Sequence, residues 1–344
     1  MKRRKVFIVI ILIFSILLSS FGLYFYQLFM TPNILVEKSD TAFLIPPGAT
    51  FKDVQNNLHD EGFVQDLVAF SFLAKLMDYD ENVKAGRFML RKDMTNFEAI
   101  KLLRSGNQAP LNITFNNVRL KKELAEKICA NIAADEDKFY ELLQDTAFIS
   151  DYGFDEYTIV SMFIPNTYEV YWTISEKELF DRMKAEYDKF WNNERMAKAD
   201  SIGLTPEEVS TLASIVQAES KKNDEKPKIA GVYLNRLERG MALQADPTLV
   251  YAAGDFTIKR VLNVHKEIES PYNTYKYAGL PPGPINVPPI SAIDAVLNYT
   301  SHNYLYFCAK EDFSGYHSFA TNLRQHLNNA RRYQRALNEA KLYR

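Results

Sequence analysis

The amino terminus contains a long run without charged residues, and this run limits what the first part of the chain can fold into. No Asp, Glu, Lys or Arg lies between Val6 and Met30. As a helix, about 25 residues rise by roughly 37 Å, which is enough to cross a bilayer core of about 30 Å with some tilt. Residues 6–30 are therefore predicted to form a single transmembrane helix.

Four consecutive basic residues, Lys2 to Lys5, precede this run. Because short segments rich in Lys and Arg stay in the cytoplasm, residues 1–5 are predicted to be a cytoplasmic tail. The rest of the chain is then predicted to lie outside the cell (inner) membrane. A cleaved signal peptide is the alternative, but the run is long and no small-x-small site ends it cleanly. No Cys follows the run closely, which argues against a lipid anchor.

The overall charge argues against nucleic-acid binding. Lys and Arg number 41 against 43 Asp and Glu, which gives a net charge of -2, and no basic stripe with interleaved aromatic residues is present. No nucleic-acid partner is therefore predicted.

The sequence also lacks the motifs of metal and serine-hydrolase chemistry. It contains no His-Glu-x-x-His, no cysteine pair with metal-ligand spacing and no Gly-x-Ser-x-Gly. No metal or cofactor is therefore predicted. Its two cysteines, Cys129 and Cys308, could pair outside the cytoplasm, although buried free thiols are the favoured interpretation.

After the apolar run, Thr31-Pro32-Asn33 is expected to break the helix, and residues 31–41 are interpreted as a tether. Residues 42–110 then show the pattern of a small α+β unit. A strand is predicted from Phe43, and the spacing of Thr50 and Asp53 predicts a capping box. The predicted helices of this unit are 51–58, 66–77 and 96–104.

The remainder is predicted to be the catalytic region, with an intermediate part at 111–205 and a catalytic core with a C-terminal helix at 206–344. The intermediate part is predicted to contain one strand and three helices. These are the strand 112–115 and the helices 119–132, 136–143 and 176–198.

Glu219 ends an apolar helical stripe in the predicted core. Thr205 and Glu208 have the spacing of a capping box, and Pro206 suits the first turn of a helix. Apolar residues and Glu219 then follow at spacings of three, four and three, so they are predicted to share one face. These residues are Val209, Leu212, Val216 and Glu219.

A carboxyl group on a core-facing stripe loses water, which disfavours its charged form and raises its pKa above about 4.3. A carboxyl that is protonated near neutral pH can donate a proton to a leaving oxygen. Glu219 is therefore a candidate general acid. The alternative is a solvated Glu at a frayed helix end near Lys222.

Polar, aromatic and proline-rich blocks surround and follow Glu219 in a fixed order. They are Gln217–Ser220, Gly231–Leu237, Gly240–Thr248, Ser270–Tyr275, Gly279–Ile285, Tyr304–Phe307 and His317–Thr321. This series resembles the endolytic murein transglycosylase family, also called the YceG-like family, whose members are anchored in the membrane and cut nascent peptidoglycan strands. The resemblance is dense from Leu212 to His326 and looser from Phe43 to Tyr171.

The resemblance implies an α+β fold with a mixed α+β catalytic domain that carries the catalytic Glu219 on a helix. It also implies that residues 42–110 are a LysM-like subdomain with a role in glycan binding or positioning. A spacer that holds the catalytic region off the membrane is the alternative for these residues.

The implied activity is that of a lytic transglycosylase. Such an enzyme cleaves the β-1,4 bond between N-acetylmuramic acid and N-acetylglucosamine without water and leaves a 1,6-anhydro end. Glu219 would protonate the leaving oxygen and then take the proton of the muramyl 6-hydroxyl. The resemblance further implies partnership with peptidoglycan synthases, because cutting new strands near the membrane ends their elongation.

The resemblance also implies a set of substrate-binding residues around the acid. They are Glu225, Gln244, Asp246, Thr248, Tyr272, Asn273, Tyr275 and His317. Several have a second interpretation. Glu225 could be a solvated loop charge, Asp246 could cap a helix, and His317 could be a structural histidine.

Three positions depart from the family pattern. Val160 and Asn166 stand where an acidic residue is usual, so residues 161–172 are interpreted as a wall of the cleft rather than as catalytic. Gln217 stands where many relatives have Glu, which narrows the choice of acid to Glu219.

Two other functions stay open. A muramidase that uses water would need a second carboxylate, for which Glu225 and Asp246 are the candidates. A membrane-tethered glycan-binding scaffold would need no catalytic acid at all.

Overall fold

The structure of the chain is a computed structural model that describes residues 2–36 and 40–340. Met1 of the predicted tail, residues 37–39 of the predicted tether and residues 341–344 of the predicted core lie outside the described residues. Helices and short paired strands make up the fold, which confirms the predicted α+β class.

The chain divides into two compact units with a boundary between Asn112 and Ile113. The amino-terminal unit also includes Asn131–Ala134 and Glu169–Ser175, and the carboxy-terminal unit comprises the rest. The sequence predicts a boundary at 110/111. The sequence also predicts a division of the catalytic region into 111–205 and 206–344, whereas the structure places most of both ranges in the carboxy-terminal unit.

The first elements of the chain form a helix, a two-stranded antiparallel sheet and three helices around it. They are α1 (Lys2–Met30), β1 (Asp40–Ile45), α2 (Phe51–Asp60), α3 (Leu67–Leu76), β2 (Gly86–Arg91) and α4 (Asn96–Ser105). Phe43 of β1 lies opposite Phe88 of β2, and both rings are fully buried in the core of this unit. The predicted capping box of Thr50 and Asp53 begins α2.

Within the described residues, α1 is the one helix that is long and apolar enough to cross a membrane. Its last turn belongs to the amino-terminal unit. Leu28 is buried there, and the side-chain amide of Asn96 donates to its carbonyl oxygen at 3.4 Å.

The segment that follows α1 departs from the predicted tether. The amide of Asn33 donates to Oδ1 of Asn96 at 2.6 Å and accepts the backbone N–H of Asp66 at 2.7 Å. Ile34 and Val36 are buried. Asn33, Ile34 and Val36 are thus part of a packed core, whereas Thr31, Pro32 and Leu35 are exposed. Asn33 satisfies polar backbone groups that a solvated tether would leave to water.

The later elements are mostly helices, with two short two-stranded sheets among them. In chain order they are β3 (Leu111–Thr114), α5 (Lys121–Cys129), α6 (Glu136–Leu142), α7 (Thr146–Ser150), β4 (Thr167–Val170), α8 (Glu176–Phe190), α9 (Asn193–Ser201), α10 (Pro206–Glu219), α11 (Lys226–Glu238), α12 (Asp246–Ala253), α13 (Ile290–Leu297), β5 (Tyr306–Ala309), β6 (His317–Ala320) and α14 (Leu323–Glu339). β3 pairs with β4, and β5 runs antiparallel to β6 with Ala309 opposite His317. Cys129 and Cys308 are both free.

The single helix predicted at 176–198 is wrong, because the structure has two helices there. Asn192 interrupts the run: its side-chain oxygen accepts the backbone N–H of Arg195 at 3.1 Å and caps α9. An Asn at this position satisfies a free N–H of a new helix, so it favours a restart over continuation.

α10 is the central helix of the carboxy-terminal unit and contacts α9, α11, α12 and α13. Its predicted capping box, Thr205 with Glu208, is confirmed. The prediction of a single apolar face is too narrow, because every residue from Val209 to Val216 is buried. The hydroxyl of Ser214 shows how polar residues are accommodated: it donates to the carbonyl of Thr211 at 2.7 Å. Because α10 is buried on all sides, the position of its last residue, Glu219, is fixed by the packing around the helix.

Candidate active site

Glu219 is the last residue of α10, and its side chain lines two cavities. The helix ends earlier than the predicted limit near Lys222, because Ser220 adopts extended backbone with φ -141° and ψ 137°. Glu219 is partly accessible from the cavities, yet protein atoms surround it on most sides. The sequence therefore places this carboxyl at the end of a rigid helix and at a cleft.

Tyr233 of α11 orients the carboxyl of Glu219. Its ring is buried, with 2% of its surface exposed, and its hydroxyl donates to Oε1 of Glu219 at 2.7 Å. Phe307 packs edge-to-face against the Tyr233 ring, with the centroids 5.8 Å apart. Because a buried tyrosine hydroxyl needs a partner, this bond holds one carboxyl oxygen in place and leaves the other for a ligand.

Burial raises the pKa of Glu219 from 4.5 to about 7. The loss of water around the carboxyl is the largest cause, and the charge of Asp246 acts in the same direction. The hydrogen bond from Tyr233 and the charge of Arg236 lower this pKa in part. The position of Glu219 at the C-terminal end of α10 also disfavours a negative charge. A substantial fraction of the protein therefore carries a protonated Glu219 at neutral pH.

Arg236 lies one turn after Tyr233 on α11 and places a fixed positive charge beside the site. Its Nε donates to the carbonyl of Leu305 at 2.7 Å, and its Nη1 donates to those of Leu243 at 2.8 Å and Ala242 at 3.2 Å. The side chain is buried, and burial lowers its pKa. Backbone carbonyls hold this guanidinium, so it acts on Glu219 through its charge rather than through a direct ion pair.

The two cavities share Glu219 and Asp246 but differ in the other residues that line them. The first, here called the β5 cavity, has a volume of about 360 Å³ and is lined by residues of β5, by His317 and by His326. The second, here called the α12 cavity, has a volume of about 370 Å³ and is lined by residues of α12 and of the loop after it. Glu219 and Asp246 line both. A ligand beside Glu219 therefore has two cavities next to it.

Glu225 is buried behind His317, which lines the β5 cavity. Oε1 of Glu225 accepts the backbone N–H of His317 at 2.8 Å, and its Oε2 lies 2.7 Å from Nδ1 of the same residue. The Glu225 side chain is 6% exposed and that of His317 is 14% exposed. The interpretation of Glu225 as a solvated loop charge is wrong, because the charge is enclosed and paired. His317 lines the cavity, whereas Glu225 is not part of its lining.

Gln244, Asp246 and Tyr275, three of the predicted substrate-binding residues, all line the β5 cavity. Gln244 is exposed and has a left-handed backbone with φ 48°. The hydroxyl of Tyr275 donates to the carboxylate of Asp246. Asp246 is the first residue of α12 and makes no side-chain cap there, so the helix-cap interpretation does not hold.

Three of the predicted substrate-binding residues are enclosed in the protein and do not reach the cleft. Thr248 is fully buried, and its hydroxyl bonds to the carbonyl of Ala245 at 2.8 Å and to the Thr274 hydroxyl at 2.9 Å. Asn273 is also fully buried, and its amide donates to the carbonyls of Lys266 at 2.9 Å and Ile268 at 2.8 Å.

The third, Tyr272, is 8% exposed and packs on Tyr251 with ring centroids 4.6 Å apart. The predictions of direct sugar contacts for Thr248, Asn273 and Tyr272 are corrected accordingly. Their polar atoms and rings shape the loop that carries Tyr275.

Sequence reasoning missed Tyr233 and Arg236 as members of the site. The signal for Tyr233 was present, because a tyrosine on a helix face of apolar residues must find a partner for its hydroxyl. Arg236 follows three residues later, which is one turn of the same helix. The residues of β5 that line the cavity carry no comparable signal in the sequence.

An enclosed carboxyl that is partly protonated near neutral pH and lines two cavities meets the chemical requirements of a general acid. The YceG-like family matches residues 43–332 of the chain, and the chain belongs to this family. The endolytic murein transglycosylase of Streptococcus pneumoniae serotype 2 (strain D39) is 29% identical over 345 residues, which cover 89% of this chain and 61% of the relative. The chain thus spans less than two thirds of the length of that relative.

Two further relatives agree with this family. The endolytic murein transglycosylase of Bacillus subtilis (strain 168) is 43% identical over 129 residues, which cover 38% of this chain and 35% of the relative. The crystal structure of a YceG-like protein from Listeria monocytogenes matches 85% of this chain and 99% of its own, with a TM-score of 0.56 and 26% identity.

Proposed function

We propose that this chain is a membrane-anchored endolytic murein transglycosylase. It cleaves the β-1,4 bond between N-acetylmuramic acid and N-acetylglucosamine within nascent glycan strands and leaves a 1,6-anhydro end. The relatives of S. pneumoniae and B. subtilis carry the name of this activity. The observation that carries the proposal is Glu219, an enclosed carboxyl with a pKa of about 7 at the wall shared by two cavities.

In the proposed reaction, protonated Glu219 donates its proton to the glycosidic oxygen as the bond breaks. The ionised carboxylate then takes the proton of the muramyl 6-hydroxyl, whose oxygen attacks the anomeric carbon and closes the anhydro ring. The proton lost in the first step is regained in the second, so Glu219 ends as it began. A pKa near 7 suits both steps, because neither form is strongly favoured at neutral pH.

The carboxylates near Glu219 bear on the choice between a transglycosylase and a muramidase. A hydrolase of this kind normally needs a second carboxylate to activate water or act as nucleophile. Glu225 is unsuited, since both of its oxygens are engaged by His317. Asp246 is the remaining candidate, because it lines both cavities with Glu219. The muramidase alternative therefore rests on Asp246.

Other residues of the β5 cavity are proposed to hold the sugars. Gln244, Tyr275 and His317 present polar groups to the cavity, and Gln244 is also proposed to support the positive charge that develops on the sugar ring. Asp246 is proposed to accept a hydrogen bond from a sugar hydroxyl, and the hydrogen bond from Tyr275 holds the Asp246 carboxylate in place.

The amino-terminal unit is proposed to position the catalytic region. We infer that residues 6–30 cross the cell (inner) membrane once, with residues 1–5 in the cytoplasm and the rest outside, since four basic residues precede the apolar helix. Residues 42–110 are proposed to be a LysM-like, glycan-positioning subdomain. Peptidoglycan synthases are the proposed partners, and unchanged glycan strand length in cells that lack the protein would contradict that partnership.

The experiment is digestion of purified sacculi by the full chain in detergent, followed by mass spectrometry of the products. The wild type and Glu238→Gln, a matched change of an exposed carboxylate on α11, should both release 1,6-anhydro products. Glu219→Gln should lower their release by about 100-fold or more, because general acid–base catalysis contributes at least this factor.

The outcomes separate the three functions. Reducing-end products without the anhydro mass loss would establish a muramidase. Equal activity of Glu219→Gln and the wild type would show that Glu219 is not the catalytic acid. Strand binding without product release by any form would leave a glycan-binding scaffold.

A further inference from the structure

The two cavities beside Glu219 differ in the positive charge that they offer to a ligand. In the β5 cavity, the guanidinium of Arg236 is bound by three backbone carbonyl contacts and is buried. In the α12 cavity, the cations are Arg119 and Lys259, and both side chains are exposed. The ion pairs formed by residues 2–36 and 40–340 do not include either of them. Positive charge with free donors therefore lies on the α12 side of Glu219.

The backbone of Arg119 is held firmly although its guanidinium is exposed. Its N–H donates to the carboxylate of Glu123 at 2.8 Å, and the carbonyl of the preceding Val118 accepts the N–H of Val287 at 2.8 Å. The guanidinium lies over the ring of Phe256, 5.0 Å from its centroid. An aromatic face orients a guanidinium without using its N–H donors, which stay available for a carboxylate.

The rest of the lining completes a site for a charged and partly apolar group. Val250, Ile258 and Val261 contribute apolar surface to the same cavity. Besides Glu219, the acidic residue in this lining is Asp246, whose carboxylate already accepts the hydroxyl of Tyr275. With Glu219 protonated, two cations face one carboxylate, so the cavity favours an anionic ligand.

We infer that the α12 cavity binds a carboxylate of the peptide stem on the muramyl residue at the reacting bond. This inference rests on the proposed function, since it takes a murein strand as the ligand. The sugar backbone of such a strand is neutral, and the stem carries its carboxylates and its alanyl methyl groups. Arg119 and Lys259 meet the carboxylate, and the apolar residues meet the methyl groups. The stem then extends from the reacting muramyl residue into the α12 cavity.

The test compares kcat/KM of the full chain in detergent on two uncross-linked substrates. One is strands with free carboxylates on their peptide stems, and the other is the same strands with those stem carboxylates amidated. Removing the stems with an amidase would instead leave a new lactyl carboxylate on each muramyl residue. The Arg119→Gln/Lys259→Gln variant should lose about tenfold more kcat/KM on strands with free stem carboxylates than on amidated ones, as expected for a charge-assisted contact worth about 1.4 kcal/mol.

Two further variants separate charge from structure. Arg119→Lys keeps the positive charge, so this variant should retain more of the preference for strands with free stem carboxylates than Arg119→Gln/Lys259→Gln does. Arg331→Gln/Arg335→Gln removes two exposed charges from α14 and should retain the wild-type preference. Equal losses of the Arg119→Gln/Lys259→Gln variant on strands with free and with amidated stem carboxylates would overturn the inference.

A binding measurement keeps this inference distinct from the proposed activity. Retention of soluble stem-bearing strands is measured on Glu219→Gln and on Glu219→Gln with both cations removed. Weaker retention of the second protein supports the α12 cavity site even if no form makes an anhydro product. Equal retention of both proteins refutes the site even if the wild type is an active transglycosylase.

Discussion

The hydroxyl of Tyr233 donates to Oε1 of Glu219 at 2.7 Å, which joins the middle of α11 to the end of α10. This bond stabilises the ionised form of Glu219 and so opposes the loss of water that raises its pKa. The pKa of Tyr233 is itself raised well above its usual value, first by burial and then by the charge of Glu219. Tyr233 therefore keeps its proton near neutral pH and donates a hydrogen bond to Glu219, whose pKa is about 7.

The first prediction concerns the pH profile of Tyr233→Phe. In the wild type, kcat/KM should fall as the pH rises above about 7, because the general acid must be protonated in the free protein. Removing the hydroxyl takes away support for the ionised form. The alkaline limb should then move to higher pH by about one pH unit, while kcat falls because the second step needs the ionised form. Tyr299→Phe, at an exposed tyrosine, is the control. A limb that stays in place or moves to lower pH would contradict the role given to Tyr233.

The second prediction concerns stability and the charge of Glu219. The folded-state pKa of about 7 lies above the ordinary 4.5, so the folded protein binds this proton more tightly than the unfolded chain. The proton-linked stability is fully present below about pH 4.5 and is lost as the pH rises through about 7. Above that pH, the ionised carboxyl costs roughly 3 kcal/mol at most.

Glu219→Gln removes this cost because Gln is neutral and of similar shape. Calorimetry of the full chain in detergent should show a higher Tm for the variant than for the wild type at pH 8. The two values should be nearly equal at pH 5, where Glu219 is protonated. Glu238→Gln should show no such difference between the two pH values. A variant that is less stable than the wild type at pH 8 would mean that Glu219 is not desolvated in the folded protein.

The third prediction concerns the buried pair of Glu225 and His317. In its 2.7 Å contact, Nδ1 donates to the Glu225 carboxylate, so Nε2 is an acceptor when the ring of His317, which lines the β5 cavity, is neutral. In Glu225→Gln, the new amide donates toward Nδ1 and favours a proton on Nε2. The acceptor at the cavity then becomes a donor. We expect a drop in kcat/KM of about tenfold, carried mainly by KM.

A double-mutant cycle shows whether Glu225 acts through His317. Adding Glu225→Gln to His317→Ala should cause little further loss of kcat/KM, because the imidazole that Glu225 positions is already absent. Losses that simply add would assign Glu225 a separate, structural role. Thermal unfolding of each variant accounts for the stability that the buried pair supplies.

Local signals and long-range contacts explain which features the sequence could predict. The capping boxes of Thr50 and Thr205 depend on residues three positions apart, so they could be predicted from sequence. The contact of Glu225 with His317 spans 92 residues and depends on how β6 packs against the start of α11. Nothing in the local sequence of either residue shows that the other will cover it.

The errors at the substrate-binding residues have the same physical cause. Thr248 and Asn273 stand among polar residues that do line the cleft, and their side-chain types suit sugar binding. Both face inward, where their hydrogen bonds hold the loop between α12 and α13. Residue type predicts what a side chain can bond to, whereas the packing of that loop decides whether the partner is a ligand or the protein itself.

The fourth prediction concerns Gly283, where the chain passes close to another segment. A Cβ on Gly283 would lie 2.1 Å from the carbonyl oxygen of Tyr157, far inside van der Waals contact. The loop cannot move away easily, because the N–H of Ile285 donates to Oγ of Ser214 at 3.0 Å and the amide of Asn286 donates to the Ser214 carbonyl at 2.9 Å. Gly283→Ala should therefore destabilise the protein by about 2–3 kcal/mol or more.

Gly279→Ala is the matched control for this substitution, since Gly279 lies in the same loop and has open space around it. Its φ of 95° makes alanine unfavourable for the backbone alone, at a cost of about 1–2 kcal/mol. Denaturant unfolding should rank Gly283→Ala as the less stable of the two. The same order should hold for kcat at 25 °C, because the displaced loop contacts α10 at Ser214, about one turn before Glu219. If both variants lose equal stability, the loop yields at Gly283 and the close approach to Tyr157 does not constrain α10.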